Sequence, residues 1–473
     1  MTRTTDRLLL ANAIMGQFLS GFGSRIFIVS LPTIASSLNA DILGISWALI
    51  AYQLAGISLS VVFGRLGDVH GRYTIYGTGF ATVAVSSLLC GLAPSVLWLI
   101  VFRFVQGIGA AMIASAARVL AIDAMPEGSE GRANGFMTMA FHAGFLIGPP
   151  IGGVVIDLAS WRWIFFILVP VAVVGTILTA MRAREGRRVV RARAVSIDYG
   201  GAAVLIVLSV LLTLLLDRRS AEMIGAGRQG LMMVVFAAAL LGFVVHESRA
   251  SDPVVNLSLF RIRMFTFSVL SLLVIATTNS VLAFLMPFYI QDVLHFSPSL
   301  MGLIFLAAPV FTITFAIVSG HVSDRIGPRI PTTVGVVVTM AAFVLGTFLR
   351  TDSGWLLPAL VMALTGLGSG FFNTPNQTAI IGSVPKEYRG FAAGMVQTVF
   401  GVGSLLGISL AGVVLTVMFR YRTGMADATP TADNPLVFVF SINATYLACA
   451  ALMAFALAAS LMRGGTKIRA AVS

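Results

Sequence analysis

The chain has 473 residues, of which 58% are apolar and only 11% charged, and its mean hydropathy is +0.95. A soluble protein of this length needs far more charge on its surface, so the composition excludes a soluble globular protein and points to a bilayer. The net charge of +12 would suggest a nucleic-acid partner in a soluble chain; here it sits between apolar runs, and no nucleic-acid partner is expected.

Runs long enough to cross a hydrocarbon core of ~30 Å are read near 9–35, 44–63, 74–93, 96–117, 135–156, 164–181, 199–216, 229–246, 265–290, 300–319, 331–349, 355–375, 391–419 and 436–462. The first run is too long for a cleavable signal and reads as a span. With the N-terminus inside, 22 of the 31 Lys/Arg fall in inner segments, seven in outer loops, and two, Arg25 and Arg103, inside spans. That asymmetry puts both termini in the cytoplasm. The run "RAREGRRVVRAR" (182–193) belongs to it, as a topology signal facing the anionic inner leaflet. Cys90 and Cys449 lie in apolar segments and suggest neither a disulfide nor a metal.

Taken in chain order, the second span is followed by "GRLGDVHGR" (64–72) and the tenth by "GHVSDRIGPR" (320–329). Both read G-x-x-x-D-x-x-G, with Gly64, Asp68, Gly71 and Arg72 matched by Gly320, Asp324, Gly327 and Arg329. The glycines are read as a tight cytoplasmic reversal, and Arg72 is expected to pair with Asp123 after the fourth span. Spans 1–6 and 9–14 therefore read as duplicated six-helix blocks, with spans 7 and 8 inserted. The implied domains are 1–182, 183–263 and 264–473. In the fifth span Gly144, Gly148 and Gly152 recur every fourth residue beside Pro149 and Gly153, which gives a bare helix face for close packing. A tight contact between the two halves is expected there, and Pro149 permits a bend.

These residues together resemble the major facilitator superfamily, in its fourteen-span drug:proton antiporter branch. Gly64, Asp68, Gly71 and Arg72 match its loop signature, and Arg103, Gln106, Gly107 and Gly109 its fourth-span R-x-x-Q-G-x-G. The glycines of the fifth span with Pro149 match G-x-x-x-G-P-x-x-G-G, which in the family marks exporters. "SWRWIFFILVP" (160–170) resembles the entry to its sixth span, with Leu168 where the family has asparagine. The resemblance implies an all-α integral membrane protein of two six-helix bundles plus two inserted helices. It also implies gating by the 64–72 and 320–329 segments, and multi-pass residence in a bacterial inner membrane.

One feature departs from that branch, which carries an aspartate in the first span. Alignment on Leu31-Pro32 puts Gly23 at the acid's position and Arg25 two residues on. All nineteen Asp and Glu fall in loops or near helix ends, Asp157, Asp198 and Asp292 coming closest to the core. An intramembrane arginine costs at least ~2.5–3.5 kcal/mol on insertion scales, so Arg25 and Arg103 are expected to face protein or a watery cavity, snorkelling being the alternative. Cavity arginines without a carboxylate repel a permanent cation and suit anionic, zwitterionic or neutral substrates. Gln106, Asn373, Asn376 and Gln397 are further cavity candidates, with helix–helix hydrogen bonding as the alternative. His142, in mid-span, and Asp157 are candidates for carrying the proton, and a buried structural role is the other reading of His142.

The expected function is a proton-coupled exporter of small amphipathic molecules, working by alternating access as a monomer. The alternative is an organic-anion importer, uniporter or exchanger of the same fold without proton antiport. No acid–histidine pair in mid-membrane, metal-ligand cluster or phosphate-binding loop occurs, so no enzyme, metal or cofactor is expected.

Overall fold

In a bilayer no water pairs with backbone N–H and C=O groups, so an apolar chain of this kind must satisfy them within helices. A computed structural model describes residues 6–126, 130–184, 226–249, 257–385, 388–425 and 427–463, with Leu211 and Leu215. Every regular element among them is helical. The first block holds α1 (Arg7–Val29), α2 (Leu31–Ser37), α3 (Ile42–His70), α4 (Arg72–Gly91), α5 (Val96–Asp123), α6 (Glu130–Leu158), α7 (Trp163–Phe166) and α8 (Leu168–Arg184). Then come α9 (Ala226–Arg249), a 3-10 turn at Leu257–Arg261, and α10 (Arg263–Phe288), which continues as a π-helical turn at Tyr289–Val293. The last five are α11 (Pro298–Ile326), α12 (Arg329–Gly346), α13 (Leu356–Gly382), α14 (Arg389–Thr423) and α15 (Pro435–Met462).

Ten helices among the described residues are long and apolar enough to cross a membrane, or eleven if α1 and α2 are one bent span. Ile42–Gly56 of α3 and Leu231–Gly242 of α9 are shorter apolar stretches. The expected seventh span, Asp198 and the basic run beyond Arg184 lie outside the described residues, apart from Leu211 and Leu215.

The chain divides into two compact units, residues 1–211 with 297–302 and residues 212–296 with 303–473. In the first, α4 packs on α5 and α8, and α1 on α6; in the second, α12 packs on α13 and α15, and α10 on α14. The pairing of α3 with α5 is matched by α11 with α13, where Thr312 and Ser319 hydroxyls donate to Gly366 O and Gly370 O at 3.0 and 2.8 Å. The same order of helices thus makes the same pairs twice.

The two matched motifs are built differently from the expected loops. Helix α3 runs through Gly64 and Asp68 to His70, and α11 runs through Gly320 and Asp324 to Ile326. Only the last glycine of each motif leaves the helix, Gly71 at φ +98° and Gly327 at φ +85°. Their N–H groups close back on Gly67 O at 3.0 Å and Ser323 O at 2.8 Å. A β-carbon is strained at such positive φ, so glycine is the residue that lets the chain turn into the next helix.

The first span is not straight. Pro32 falls at the start of α2 and has no N–H to give, so the helix breaks at Ser30 and α2 leaves α1 at 57°. Ser30 Oγ donates to Phe27 O at 2.7 Å, and Trp161 Nε1 donates to Ser37 Oγ at 3.0 Å at the far end of α2.

Close backbone approach holds α1 to α6. A β-carbon added at Gly144 would run into the Phe18 carbonyl oxygen, and one at Gly21 into that of Phe141. Gly144→Val should therefore lower the thermal midpoint of the purified protein, by the ~1–3 kcal/mol that overpacking costs. Gly242→Ala, where nothing lies within 4 Å, should leave it unchanged. Equal melting of the two variants in a thermal-shift assay would contradict the close seam.

Candidate functional site

The seam between α1 and α6 decides where Arg25 goes. Gly144, Gly148 and Gly152 lie against Phe18, Phe22 and Ile26, all on α1 within unit 1. The three glycines of the stripe are thus set against α1, while Gly153 and Pro149 of the same motif meet Pro298 and Gly302 of the second sequence half. At Gly148 an added β-carbon would sit 3.3 Å from Arg25 Cβ, so glycine there makes room for the root of the Arg25 side chain, which lies over the neighbouring ring. Its Cζ is 3.8 Å from the Phe145 centroid, a cation–π contact. Arg25 is half-buried and, among the described residues, has no hydrogen bond or ion pair. The ring covers one face of the guanidinium, while its N–H donors radiate in the plane and remain open to an acceptor.

Aromatic side chains flank this cation. Phe18 stacks on Phe22 at 5.6 Å, Phe141 lies 6.1 Å from Phe145, and His142 meets Phe141 edge-on at 5.7 Å. His142 is exposed on the helix, which corrects its reading as a buried structural histidine. It stands three residues before Phe145, hence on neighbouring positions of one helix face.

Of its two expected placements, Arg103 takes the one facing protein. It is 1% exposed, enclosed by protein rather than facing a vestibule. Its Nε donates to Ala48 O at 3.3 Å and its Nη1 to Gln106 Oε1 at 2.6 Å, while Gln106 Nε2 donates to Ser87 Oγ at 2.7 Å. The Phe27 and Tyr52 rings each lie 4.2 Å from its Cζ. Arg103 therefore ties α1, α3, α4 and α5 together inside unit 1. Beside this cage, Ser20, Gly23, Tyr52, Gln106 and Leu168 line a small cavity with room for about one water.

Arg72 Nη1 lies 3.9 Å from Asp123 Oδ2, the pair the sequence suggested, with both side chains partly exposed. Its counterpart Arg329 donates instead to the Leu461 carbonyl at 2.8 Å, and Asp324 is exposed. Asp157 Oδ2 accepts the Ser299 N–H at 3.0 Å, and Gly153 abuts Pro298, both contacts lying within unit 1. Of the polar candidates in unit 2, Asn376 is fully buried and donates to Ser268 O at 3.2 Å, so it ties α13 to α10. Asn373 is half-buried and Gln397 exposed. The structure thus stacks Arg25 on Phe145 and sets His142 three residues before Phe145 on α6, against Phe141, and does not gather Arg103 or Asn376 with them. Sequence reasoning missed Phe145 and Tyr52. The spacing of Arg103 and Gln106, three apart on a helix, was the available sign that the two satisfy each other.

The Major Facilitator Superfamily matches residues 13–197 and 268–467. The chain is 28% identical to the Multidrug transporter protein MdtP of Bacillus subtilis (strain 168), over 86% of this chain and 75% of that one. It is 24% identical to the Riboflavin transporter RibZ of Clostridioides difficile (strain 630), over 93% of each. Among solved structures, a bacterial homologue of the human lysosomal transporter Spinster, in an inward-facing unoccupied conformation, has the same fold. The TM-score is 0.70 at 14% identity, over 96% of each chain.

Arg103→Ala leaves Ala48 O and Gln106 Oε1 without their donor and opens a void between two rings. It should destabilise the protein by ~2–4 kcal/mol. Arg25→Ala removes no hydrogen bond and should cost under ~1 kcal/mol. Thermal unfolding of the two variants side by side checks the contrast.

Proposed function

The chain belongs to the Major Facilitator Superfamily and is a multi-pass membrane transporter, and on that premise we propose that it is a proton-coupled exporter of small amphipathic molecules, working by alternating access. Its substrates carry a carboxylate or another oxyanion, or neutral acceptor groups. The observation that carries this reading is Arg25, a half-buried guanidinium plated on Phe145 whose in-plane donors have no partner among the described residues. A carboxylate meets that fork in bidentate fashion, and the surrounding phenylalanines offer apolar contact to the rest of an amphipathic molecule. A permanent cation finds no counter-charge in mid-span, since the described carboxylates stand at helix ends or in loops. The name of MdtP supports a drug substrate, that of RibZ a flat conjugated one.

A second reading, an organic-anion importer, uniporter or exchanger, is favoured by one observation. Antiport needs the proton and the substrate to exclude each other, and His142 stands about one helical turn from Phe145 and the Arg25 stacked on it. A proton on His142 adds positive charge near the anion site, so proton and anion assist each other, and by linkage the assistance is mutual. A carrier coupled only in this way moves the two in the same direction. Export against a proton gradient therefore requires a second titrating group, for which Asp157 is the candidate.

In proteoliposomes, a screen of organic acids, neutral compounds and quaternary ammonium ions should show saturable transport of the first and not the last. Arg25→Gln should cut transport of the acid at least ~10-fold, about 1.4 kcal/mol, with the fold intact. Saturable carriage of a quaternary ammonium ion that ignores Arg25→Gln would overturn the substrate class. Repeating the screen with an imposed pH gradient, inside acidic or inside alkaline, tells antiport from co-transport. Affinity for the acid should rise as pH falls through the histidine range, and His142→Gln should flatten that dependence. An unchanged pH profile in His142→Gln removes the histidine from coupling.

A further inference from the structure

At the end of the last helix, unit 2 encloses another guanidinium. Arg463 follows Met462, the last residue of α15, and is 2% exposed. Its Nη1 donates to Thr332 Oγ1 at 3.1 Å on the first turn of α12, and the Phe372 ring lies 5.8 Å from its Cζ. Nε and Nη2 are buried and have no partner among the described residues. These two nitrogens form one edge of the guanidinium, the side-on fork that takes two oxygens of a single oxyanion. The fork's two donors are thus unspent among the described residues, with the third nitrogen anchored.

A buried charge without a counter-charge is unfavourable. Burial pulls the guanidinium down to about 9, which still leaves it protonated at neutral pH, so the positive charge persists. No ion pair to Arg463 exists among the described residues. One turn away, Arg329 lies exposed with Nη2 on the Leu461 carbonyl, and Thr333 shares a hydrogen bond with Ser460 at 2.8 Å. The flanking Leu461 and Met462 are 49% and 58% exposed, as apolar side chains at a lipid-facing helix end are. The anion at hand at the end of a membrane span is phosphate.

We propose that the Nε/Nη2 fork of Arg463, anchored by Thr332, is a binding site for a phosphate group, carried by an anionic phospholipid or free in solution. The site is separate from Arg25 and is independent of what the protein transports. It fixes the end of α15 against α12 and makes the ligand part of the fold of unit 2.

The test uses the full chain, purified in detergent and stripped of lipid. Phosphatidylglycerol, phosphatidylcholine and inorganic phosphate are added separately, with thermal unfolding and native mass spectrometry as readouts. Phosphatidylglycerol should raise the midpoint by roughly 3–5 °C and remain bound in the mass spectrum, and Arg463→Gln should lose most of that gain. If inorganic phosphate gives the gain and the lipid does not, the phosphate chemistry stands and the source is soluble. Thr332→Val keeps the volume and removes the anchor, so it should lose at least half of the gain, and it decides the matter if Arg463→Gln does not fold. A gain that survives both variants, or no gain from either phosphate source, overturns the proposal.

Discussion

The contact on which the site depends is backbone against backbone, where α1 lies on α6. Helices in lipid gain nothing from hiding apolar surface from one another, so association rests on close fit. Gly21 from one side and Gly144 from the other remove the β-carbons that would hold the chains apart. Gly148, bare of a side chain, leaves room for Arg25 Cβ beside it, and the guanidinium lies across Phe145. A charged side chain is thereby accommodated by the absence of side chains opposite it. The same device recurs in unit 2, where a β-carbon at Gly407 would meet the Thr277 carbonyl and seats α14 on α10.

The two arginines inside spans show how the same charge serves two ends. Arg103 places Nε and Nη1 on Ala48 and Gln106 and its faces on Phe27 and Tyr52, with Nη2 buried and unpartnered among the described residues, which makes it a strut. Arg25 has a ring on one face and open donors, which makes it reactive toward an acceptor. Enclosure, not charge, separates them.

Much of this was legible beforehand. Hydropathy and the duplicated G-x-x-x-D-x-x-G gave the helices and their repetition, because length and period are properties of the chain alone. The pairing of Arg72 with Asp123 followed from topology. The fate of Arg103 was not legible, since a span's sequence does not say which of its faces meets protein. The 64–72 segment was misread for a related reason. Glycine density suggests a turn in water, but near a membrane the backbone keeps its hydrogen bonds, and only Gly71 carries a dihedral that ends the helix. His142, read either as a proton carrier or as a buried structural residue, stands exposed on its helix, which goes against the second of these.

The break at Ser30 has a mechanical consequence. Helix α2 is tethered at its base by the serine back-bond to Phe27 and at its tip by the Trp161 indole. An elbow pinned at both ends transmits motion as a rigid crank. Rotation of α1, on which Arg25 rides, is passed through α2 to the segment joining α6 to α7.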